Sequence, residues 1–481
     1  MLKPLASSDA TRLREFLDGA GYTEGALVKD RSWLELPSRG SGNLPILLER
    51  TREPSVSNLL VRWFFLGVAS DCDYANEQVP ESILALLVET GLLTLDGSRL
   101  APAVMLTPCD QCVFASDPVA RLDSQPSDLV VWPNPTSRRL VDFTIRRPSG
   151  TALDVGSGCG IQAILAARHS EQVTATDLNP RAAEFTRFNA WLNGVETVEF
   201  LVGDTFEPVA GRTFDLIVAN PPFFVTPSAG PLYCENRMEL DEYCGRVARE
   251  GAGHLNDGGY LQMVCEWVQV RGQSWQDHVL EWLEGTGCDA WVFRSYAREA
   301  AAYALERIRH AGPGEAPADW IAYYRQRGVE EIHGGMIALR HRSGRNWVRI
   351  EDLAVDPAGP FGTSVERAFQ CIDWMELHPS DEEMLAARPR LAPDVQLDQQ
   401  SRQIEGTWQT VGMALRFTAG MPGSMRLEPA VARFLAGFDG QQTLAELIGR
   451  LSQRVQADPA TVRRDCLAVV RKLMEHRFLV P

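Results

Sequence analysis

The chain has 481 residues, a formal net charge of −16 and 45% hydrophobic residues. This length exceeds one ordinary hydrophobic core and predicts two or three domains, and the balanced composition argues against extensive disorder. The excess of acidic residues gives no long-range attraction to phosphate backbones, so the charge favours a protein or small-molecule partner over a nucleic acid.

The sequence shows no sign of a membrane segment. It has no apolar run of about 18 residues, and residues 1–4 lack an apolar signal core, so we expect a cytoplasmic protein. The ten cysteines are scattered, which is typical of reduced thiols. Cys109 and Cys112 have the spacing of half a zinc site or of a redox pair, but no second pair follows, and we expect no bound metal.

Residues 1–125 are predicted to form a first, helical domain. Apolar residues at helical spacing predict helices over residues 10–20, 58–70 and 80–89. Residues 91–100 are predicted to be a hairpin that turns at Asp96-Gly97. Helices followed by such a hairpin resemble a winged helix. We interpret this domain as a substrate-recognition or docking domain, with a purely structural cap as the alternative.

A glycine-rich turn follows the first strand of the middle region. The strand over residues 151–155 is short and apolar, and Gly156, Gly158 and Gly160 then stand at alternate positions. Glycines at such a turn let a ligand approach the backbone. A second strand over residues 172–177 ends at Asp177, close to the roughly 20-residue spacing of an acid that binds ribose hydroxyls.

The fourth strand of this region leads directly into the sharpest motif in the chain. A third strand over residues 198–202 is followed by Asp204, and the fourth, over residues 214–219, runs into Asn220-Pro221-Pro222-Phe223. Because proline has no N–H group, Pro221 cannot continue a sheet, and its carbonyl is left available. The Asn220 amide and that carbonyl can both accept hydrogens from one planar NH₂ group, which Phe223 would cover.

These motifs carry a family resemblance. Residues 151–267 resemble the class I S-adenosylmethionine-dependent methyltransferases, in the subgroup that methylates planar amides and exocyclic base amines. That subgroup contains HemK-type glutamine methyltransferases of release factors, ribosomal RNA guanine methyltransferases and adenine methyltransferases. The resemblance implies a Rossmann-like seven-stranded sheet and S-adenosyl-L-methionine as the cofactor. Residues 130–136 resemble the entry segment of HemK-type enzymes, although they lack its acidic residue.

The resemblance also assigns roles to residues at the ends of the strands. For the target amine these are Asn220, Pro221, Pro222 and Phe223. For the cofactor they are Asp154, Gly156, Gly158 and Gly160 on the methionine and ribose side, Asp177 at the ribose hydroxyls and Asp204 at the adenine amine, with Ser157, Leu178, Thr205 and Asn220 beside them.

The remaining strands complete the expected sheet. Strands are predicted over residues 260–266, 289–293 and 335–340, with helices over residues 239–255 and 275–284. Seven strands with a reversed last pair are the α/β sheet that the resemblance implies. An insert over residues 297–326 carries Trp320, Tyr323 and Tyr324 at helical spacing. We interpret these aromatic residues as packing on the sheet rather than lining a substrate cleft.

The pattern changes after residue 355. Residues 357–362 are rich in proline and glycine, and residues 379–398 are charged and interrupted by prolines. Three amphipathic helices are then predicted over residues 427–436, 443–454 and 459–476. The predicted domains are therefore 1–125 for recognition, 126–350 for catalysis, 351–420 as a linker and bracing segment, and 421–481 as a small winged-helix-like domain.

Three functional hypotheses follow from the sequence. The preferred one is an N-methyltransferase that acts on a planar amino nitrogen, with a protein glutamine-type amide as the acceptor. The alternative is a methyltransferase of ribosomal or transfer RNA base amines, which needs a basic rim around its site. Arg138, Arg139, Arg146 and Arg147 are the one local basic cluster, and we interpret it as a solvated helix face. The third hypothesis is a non-catalytic, cofactor-binding scaffold.

Overall fold

One sheet of eight strands carries the motif residues at its carboxyl edge. The computed structural model describes residues 2–29, 44–118, 120–121, 126–227, 238–308, 316–353, 355–357, 359–454 and 458–481. Contacts divide the chain into two units, Met1–Val141 with Arg147–Leu353 and Asp142–Arg146 with Ala354–Pro481. The eight-stranded sheet belongs to the first unit.

The sheet has the predicted Rossmann-like arrangement with one strand more than expected. Its strands are β1 (Ser149–Val155), β2 (Ser170–Asp177), β3 (Val198–Val202), β4 (Phe214–Ala219), β5 (Leu255–Val270), β6 (Cys288–Glu299), β7 (Val329–His341) and β8 (Val348–Asp352). Their spatial order is β8-β6-β7-β5-β4-β1-β2-β3. The first five are parallel, β7 is antiparallel to both β5 and β6, and β8, which the sequence did not predict, pairs parallel to β6.

Strand register brings the motifs together. Val155 of β1 pairs with Ala219 of β4, so the glycine turn after β1 and Asn220 after β4 leave the sheet side by side. Asp177 pairs with Val202 in the same way, which places Asp204 near Asp177. Both faces of these central strands are covered, so their apolar residues form continuous buried runs.

Helices cover the two faces of this sheet and connect its strands. The helices of the sheet region are Pro135–Phe143, Ile161–Ala166, Pro180–Leu192, Glu242–Ala252, Trp275–Leu283, Ala300–Arg307 and Pro317–Arg327, with a 3-10 turn at Glu207–Val209. The last two form the predicted insert. Trp320 and Tyr324 are fully buried there, in a cluster with Val268 of β5 and Ile332 of β7. The preference for packing over a cleft lining is confirmed for these two residues.

The N-terminal region is largely helical and contains the predicted hairpin. Its helices are Ser7–Gly19, Glu24–Lys29, Leu44–Arg50, Val56–Phe64, Cys72–Gln78 and Glu81–Glu89, and its small sheet consists of Ser70–Asp71, Leu93–Asp96 and Arg99–Pro102. Asp96 pairs with Arg99, so the hairpin turns at Gly97-Ser98, one residue later than predicted.

A second hairpin, which the sequence did not predict, explains the Cys-x-x-Cys spacing. Strands Met105–Cys109 and Cys112–Ser116 pair with Cys109 opposite Cys112. Asp110 and Gln111 form the turn with φ of 48° and 61°. Consecutive residues in this left-handed region are typical of a tight two-residue hairpin.

Two asparagines attach this hairpin to the sheet region. The Asn189 side chain accepts from the Ala115 nitrogen at 2.7 Å and donates to the carbonyls of Ala115 and Cys159, both at 2.8 Å. One helical turn later, the Asn193 side chain bonds both backbone groups of Val113. The two side-chain amides therefore satisfy backbone groups that a neighbouring strand would otherwise satisfy.

The second unit is more regular than predicted. Residues 351–420, expected to be a linker and bracing segment, contain helices Gly362–Leu377 and Asp381–Ala386 and strands Arg390–Leu391, Val395–Ile404 and Thr407–Phe417. Strand Ser424–Leu427 joins the long hairpin. The three predicted amphipathic helices are present as Pro429–Leu435, Leu444–Arg454 and Pro459–Glu475, and Leu479–Val480 then pairs with Arg390–Leu391.

The amphipathic helices of the second unit enclose their own core. Leu444, Leu447 and Ile448 are buried in a cluster with Leu473 and Phe478.

Across the part of the chain that the structure describes, no helix combines the length and apolarity needed to cross a membrane.

Candidate functional site

A cavity of about 740 Å³ opens at the carboxyl ends of β1, β2, β3 and β4. Residues predicted for the site form much of its wall: Gly156, Ser157, Gly158, Asp177, Leu178, Asp204, Thr205, Asn220 and Pro222. Four predicted residues do not border it, namely Asp154, Gly160, Pro221 and Phe223. The structure therefore gathers the ends of four strands around one space, as parallel strands of an open sheet do.

The glycine turn has one open side. Gly156 and Gly158 have φ of 73° and 54°, and a Cβ added at either would meet no protein atom within 4 Å. Side chains rarely adopt this backbone conformation, and here their absence leaves room for a ligand against the backbone. Gly160 has a different reason to be glycine, because its Cβ would lie 2.8 Å from the Thr186 side chain. It therefore packs against a helix instead of lining the cavity.

Asp177 is held in place by the chain around it. Its two carboxylate oxygens accept from the backbone nitrogens of Gly158 and Asn179, each at 2.8 Å. Burial raises the pKa of Asp177, against the effect of these two hydrogen bonds. Each carboxylate oxygen has a second acceptor site, so Asp177 retains the capacity to accept hydrogens from a ligand at the cavity wall.

Asp154 lies beneath the turn rather than in the cavity. It is 1% exposed and accepts from the Ala163 nitrogen at 3.0 Å, inside the first turn of the following helix. Burial raises the pKa of Asp154 to about 7. We expected Asp154 to line the methionine side; its location instead indicates that it ties β1 to the helix after the glycine turn.

Asp204 stands in a polar corner of the cavity. Its carboxylate accepts from Thr205 Oγ1 at 2.7 Å and from Arg246 at 3.0 Å. Burial opposes its charge, but these two hydrogen bonds and the nearby guanidinium outweigh it and hold the pKa of Asp204 below its usual value. Thr205 Oγ1 also lies 3.0 Å from the Tyr243 hydroxyl. Tyr243 and Arg246 both line the cavity, and the sequence did not single them out.

Asn220 contacts a segment that precedes β1. Its Nδ2 donates to Ser137 Oγ at 3.1 Å, and Ser137 Oγ lies 3.2 Å from Asn134 Oδ1. Asn134 also caps the helix that begins at Pro135, accepting from the Ser137 nitrogen at 2.9 Å. An asparagine before a proline is a helix-start signal that could have located this contact in the sequence.

Of the other three residues of the Asn-Pro-Pro-Phe motif, only Pro222 lies at the cavity. Pro222 borders it, whereas Pro221 is buried without bordering it. Phe223 is partly buried and packs on the core cluster beside the sheet, and its ring centroid lies 5.4 Å from that of Phe224. We expected the Phe223 ring to cover a bound amine. In this structure the ring packs on the core instead and does not border the cavity.

Family models match two separate parts of the chain. The model of the "Methyltransferase small domain" family matches residues 134–274, and a "Domain of unknown function (DUF7782)" matches residues 366–481. The release factor glutamine methyltransferase of Vibrio cholerae is 39% identical over 183 residues, 33% of this chain and 63% of that protein. The ribosomal RNA small subunit methyltransferase C of Escherichia coli is 34% identical over 132 residues, 27% of this chain and 35% of that protein.

These likenesses are local. The chain covers less than two thirds of either relative. Among solved structures, Trm5b from Pyrococcus abyssi has a TM-score of 0.31 and 18% identity, covering 55% of this chain and 71% of that one. The range that the methyltransferase family model matches, residues 134–274, contains the glycine turn, Asp177, Asp204 and Asn220 of the cavity wall.

The cavity fits the cofactor of such a domain. Two glycines leave open space against the backbone, and two acidic residues, Asp177 and Asp204, stand at the ends of neighbouring strands with acceptor capacity for hydroxyl and amine groups. The volume of about 740 Å³ lies within the range of small-molecule sites. Residues 134–274 of this chain are therefore a class I methyltransferase small domain, of the type that uses S-adenosylmethionine.

Proposed function

We propose that this protein transfers a methyl group from S-adenosylmethionine to a planar amino nitrogen, and that its preferred acceptor is a glutamine-type amide of a protein. The observation that carries the proposal is the position of Asn220. Its side chain lies on the cavity wall next to the glycine turn, and its Nδ2 is already engaged by Ser137. The Asn220 oxygen is then the atom available to accept a hydrogen from an acceptor amine.

Methyl transfer from this cofactor requires mainly that the acceptor nitrogen is positioned correctly. S-adenosylmethionine supplies a methyl group that is already activated as a sulfonium. An amide nitrogen has a delocalised lone pair, and hydrogen-bond acceptors on its N–H groups increase the electron density available for attack. Asn220 Oδ1 is the acceptor on the cavity wall in this scheme, whereas the Pro221 carbonyl, the second acceptor that the sequence suggested, belongs to a residue that does not border the cavity. Asp177, Gly156 and Gly158 would hold the cofactor, and the gain in rate would come from orientation of the acceptor and exclusion of water.

The contacts made by the four arginines of the basic cluster favour a protein acceptor over RNA. Arg138 pairs with Glu24 and donates to the Pro108 carbonyl, and Arg147 donates to the Gly258 carbonyl while lying 4.8 Å over the Tyr260 ring. Arg139 and Arg146 also have partners. These arginines are occupied within the protein, and the net charge of −16 supplies no other broad attraction to phosphates. The release factor methyltransferase relative is consistent with a protein acceptor.

The substitution Asn220→Ala tests the proposed site. Purified protein is given labelled S-adenosylmethionine and a lysate of cells that lack this protein. We expect wild type to transfer label and Asn220→Ala to transfer none, while the two bind the cofactor with similar affinity in calorimetry. Asn76→Ala, an exposed position on helix Cys72–Gln78, is the matched control. Retained activity in Asn220→Ala would show that the amine site is elsewhere.

A further inference from the structure

A chain of three polar side chains runs from a backbone nitrogen to the Asn220 amide. The Ser137 nitrogen lies 2.9 Å from one atom of the Asn134 amide. A backbone nitrogen can only donate, so that atom must be the Asn134 oxygen. This contact fixes the orientation of the Asn134 amide without reference to any other side chain.

The position of the Asn134 oxygen fixes the direction of the hydrogen bond that Ser137 makes to it. Its hydroxyl lies 3.2 Å from the same Asn134 oxygen, which can only accept. A serine hydroxyl has one hydrogen, and this contact uses it. Ser137 is 7% exposed, and its carbonyl accepts from Gln162 Nε2 at 2.9 Å, so the residue is held at both its side chain and its backbone.

Asn220 is the last of the three hydrogen-bonded side chains. Ser137 Oγ has only acceptor sites left for it, so the atom of Asn220 that lies 3.1 Å away must be the nitrogen. The Asn220 oxygen is thereby turned away from Ser137. Among the residues that the structure describes, none donates a hydrogen bond to that oxygen, and Asn220 lines the cavity.

We propose that Asn134 and Ser137 are positioning residues that fix which end of the Asn220 amide faces the methyl acceptor. The inference rests on the proposed function, because it assigns a purpose to the orientation. An amide that turned over would present two N–H donors to an acceptor amine that is itself a donor. The site would then lose an acceptor and gain a repulsive contact, so an unrestrained Asn220 would spend part of its time in an unproductive orientation.

Two variants separate this role from simple support of the fold. Ser137→Ala removes the partner of Asn220 Nδ2 and frees the amide to turn. Asn134→Asp keeps an oxygen at the same place, so it preserves both contacts of Ser137 and the direction of the chain. We expect Ser137→Ala to lower kcat by roughly 10- to 100-fold with little change in cofactor affinity. We expect Asn134→Asp, the conservative variant, to keep kcat well above that of Ser137→Ala, and Asn76→Ala, an exposed position outside the site, to stay close to wild type.

A second readout does not depend on methyl transfer. In protein labelled with ¹⁵N-asparagine, the side-chain NH₂ signals of Asn220 are identified by their loss in Asn220→Asp. The proposal predicts slow exchange of these hydrogens with water in wild type and in Asn134→Asp, and fast exchange in Ser137→Ala. Fast exchange in wild type, or no change in Ser137→Ala, overturns the proposal whether or not the protein methylates anything.

The two readouts also distinguish failure of this inference from failure of the proposed function. Slow exchange in wild type together with no methyl transfer overturns the proposed function, and with it the purpose given to the chain of contacts. Equal kcat in wild type and Ser137→Ala, with exchange altered as expected, overturns the positioning role alone. Loss of cofactor affinity in Ser137→Ala that matches its loss of kcat would show general support of the cavity and would also overturn it.

Discussion

Asp177 Oδ2 accepts a hydrogen bond from the backbone nitrogen of Gly158 at 2.8 Å, so the acid that ends β2 holds the glycine turn that follows β1. Two features that the sequence marks separately are thus one structural unit. The same carboxylate stands on the cavity wall, where the resemblance to methyltransferases places the ribose of the cofactor.

Removing this carboxylate should weaken cofactor binding. We expect Asp177→Ala to lose about 1–3 kcal/mol of binding free energy, because the ribose loses its acceptor and the Gly158 nitrogen loses its partner. Asp177→Asn keeps an oxygen and should lose less. Isothermal titration calorimetry with S-adenosylmethionine measures both. Unchanged affinity in Asp177→Ala would remove this residue from the site.

The sequence predicts the strands of the sheet and the motifs at their ends because both depend on local patterns. Apolar runs indicate buried strands, and glycine or proline after a strand indicates a break. What it could not predict depends on distant contacts. Tyr243 and Arg246 reach the cavity only because the helix Glu242–Ala252 packs beside β5. Strand β8 offers only two apolar residues, Val348 and Ile350, which is too short an alternation to predict a strand, and it pairs with β6.

The site residues likewise include some that the sequence placed correctly and some that it did not. Asp177, Asp204 and Asn220 were predicted at the cavity, where the structure places them. Asp154 was also predicted there, but it lies beneath the turn, because the helix after the glycines offers it the Ala163 nitrogen. A sequence pattern cannot distinguish a carboxylate that faces a ligand from one that supports the backbone behind it. Of the two long strands of residues 395–417, the first is polar and largely exposed from Asp398 to Gln403, which leaves no period-two apolar pattern there; the second alternates at Val411, Met413, Leu415 and Phe417 and was missed in spite of that pattern.

The buried Asp154 should make stability depend on pH. The unfolded chain releases this proton near 3.8, whereas the folded protein keeps it to about 7, so stability falls as pH rises through that interval. The full difference corresponds to about 4 kcal/mol at most. Asp154→Asn has no such titration. The free energy of unfolding of wild type, relative to that of Asp154→Asn, should therefore fall as the pH rises from about 4 to about 8, a range that spans both pKa values.

Urea unfolding of the cofactor-free proteins across that interval measures this effect. The comparison uses the change with pH and not the absolute stability, because the asparagine adds an NH₂ group that costs a constant amount. Parallel curves for the two proteins would contradict the assignment of a raised pKa to Asp154.

The Asn189 contacts should stabilise the N-terminal hairpin on the sheet region. Asn189→Ala leaves two backbone groups of Ala115 and the Cys159 carbonyl without their partner, and the Asn189 side chain is fully buried. We expect a loss of at least about 2 kcal/mol in the free energy of unfolding. Chemical denaturation measures it, with Asn76→Ala as the exposed control. Equal losses in the two variants would mean that these contacts contribute nothing specific.

A buried carboxylate supports the chain directly after the Asn-Pro-Pro-Phe motif. Glu266, 1% exposed, accepts from Tyr296 at 2.5 Å, from Arg307 at 2.7 Å and from Tyr303. The Arg307 guanidinium lies 4.1 Å from the Phe224 ring centroid. The cluster therefore connects β5, β6 and the insert to the residue that follows Phe223.

Breaking this cluster should be costly. Glu266→Gln leaves the Arg307 charge without its counter-ion, and we expect a loss of about 3–5 kcal/mol in the free energy of unfolding. Glu306→Gln, on the same helix but exposed and in a surface pair with Arg298, should cost under about 1 kcal/mol. Denaturation curves of the two variants compare them directly, and similar midpoints would contradict a stabilising role for Glu266.

The most direct test of the central claim is the fate of the labelled methyl group. Wild-type protein, labelled S-adenosylmethionine and a lysate of cells lacking this protein are combined, and matched samples are then treated with ribonuclease or with protease. We predict label that survives ribonuclease and is lost to protease, on a peptide whose modified amide mass spectrometry identifies. Label lost to ribonuclease would contradict the protein acceptor, and no label in either fraction would contradict methyl transfer to a macromolecule.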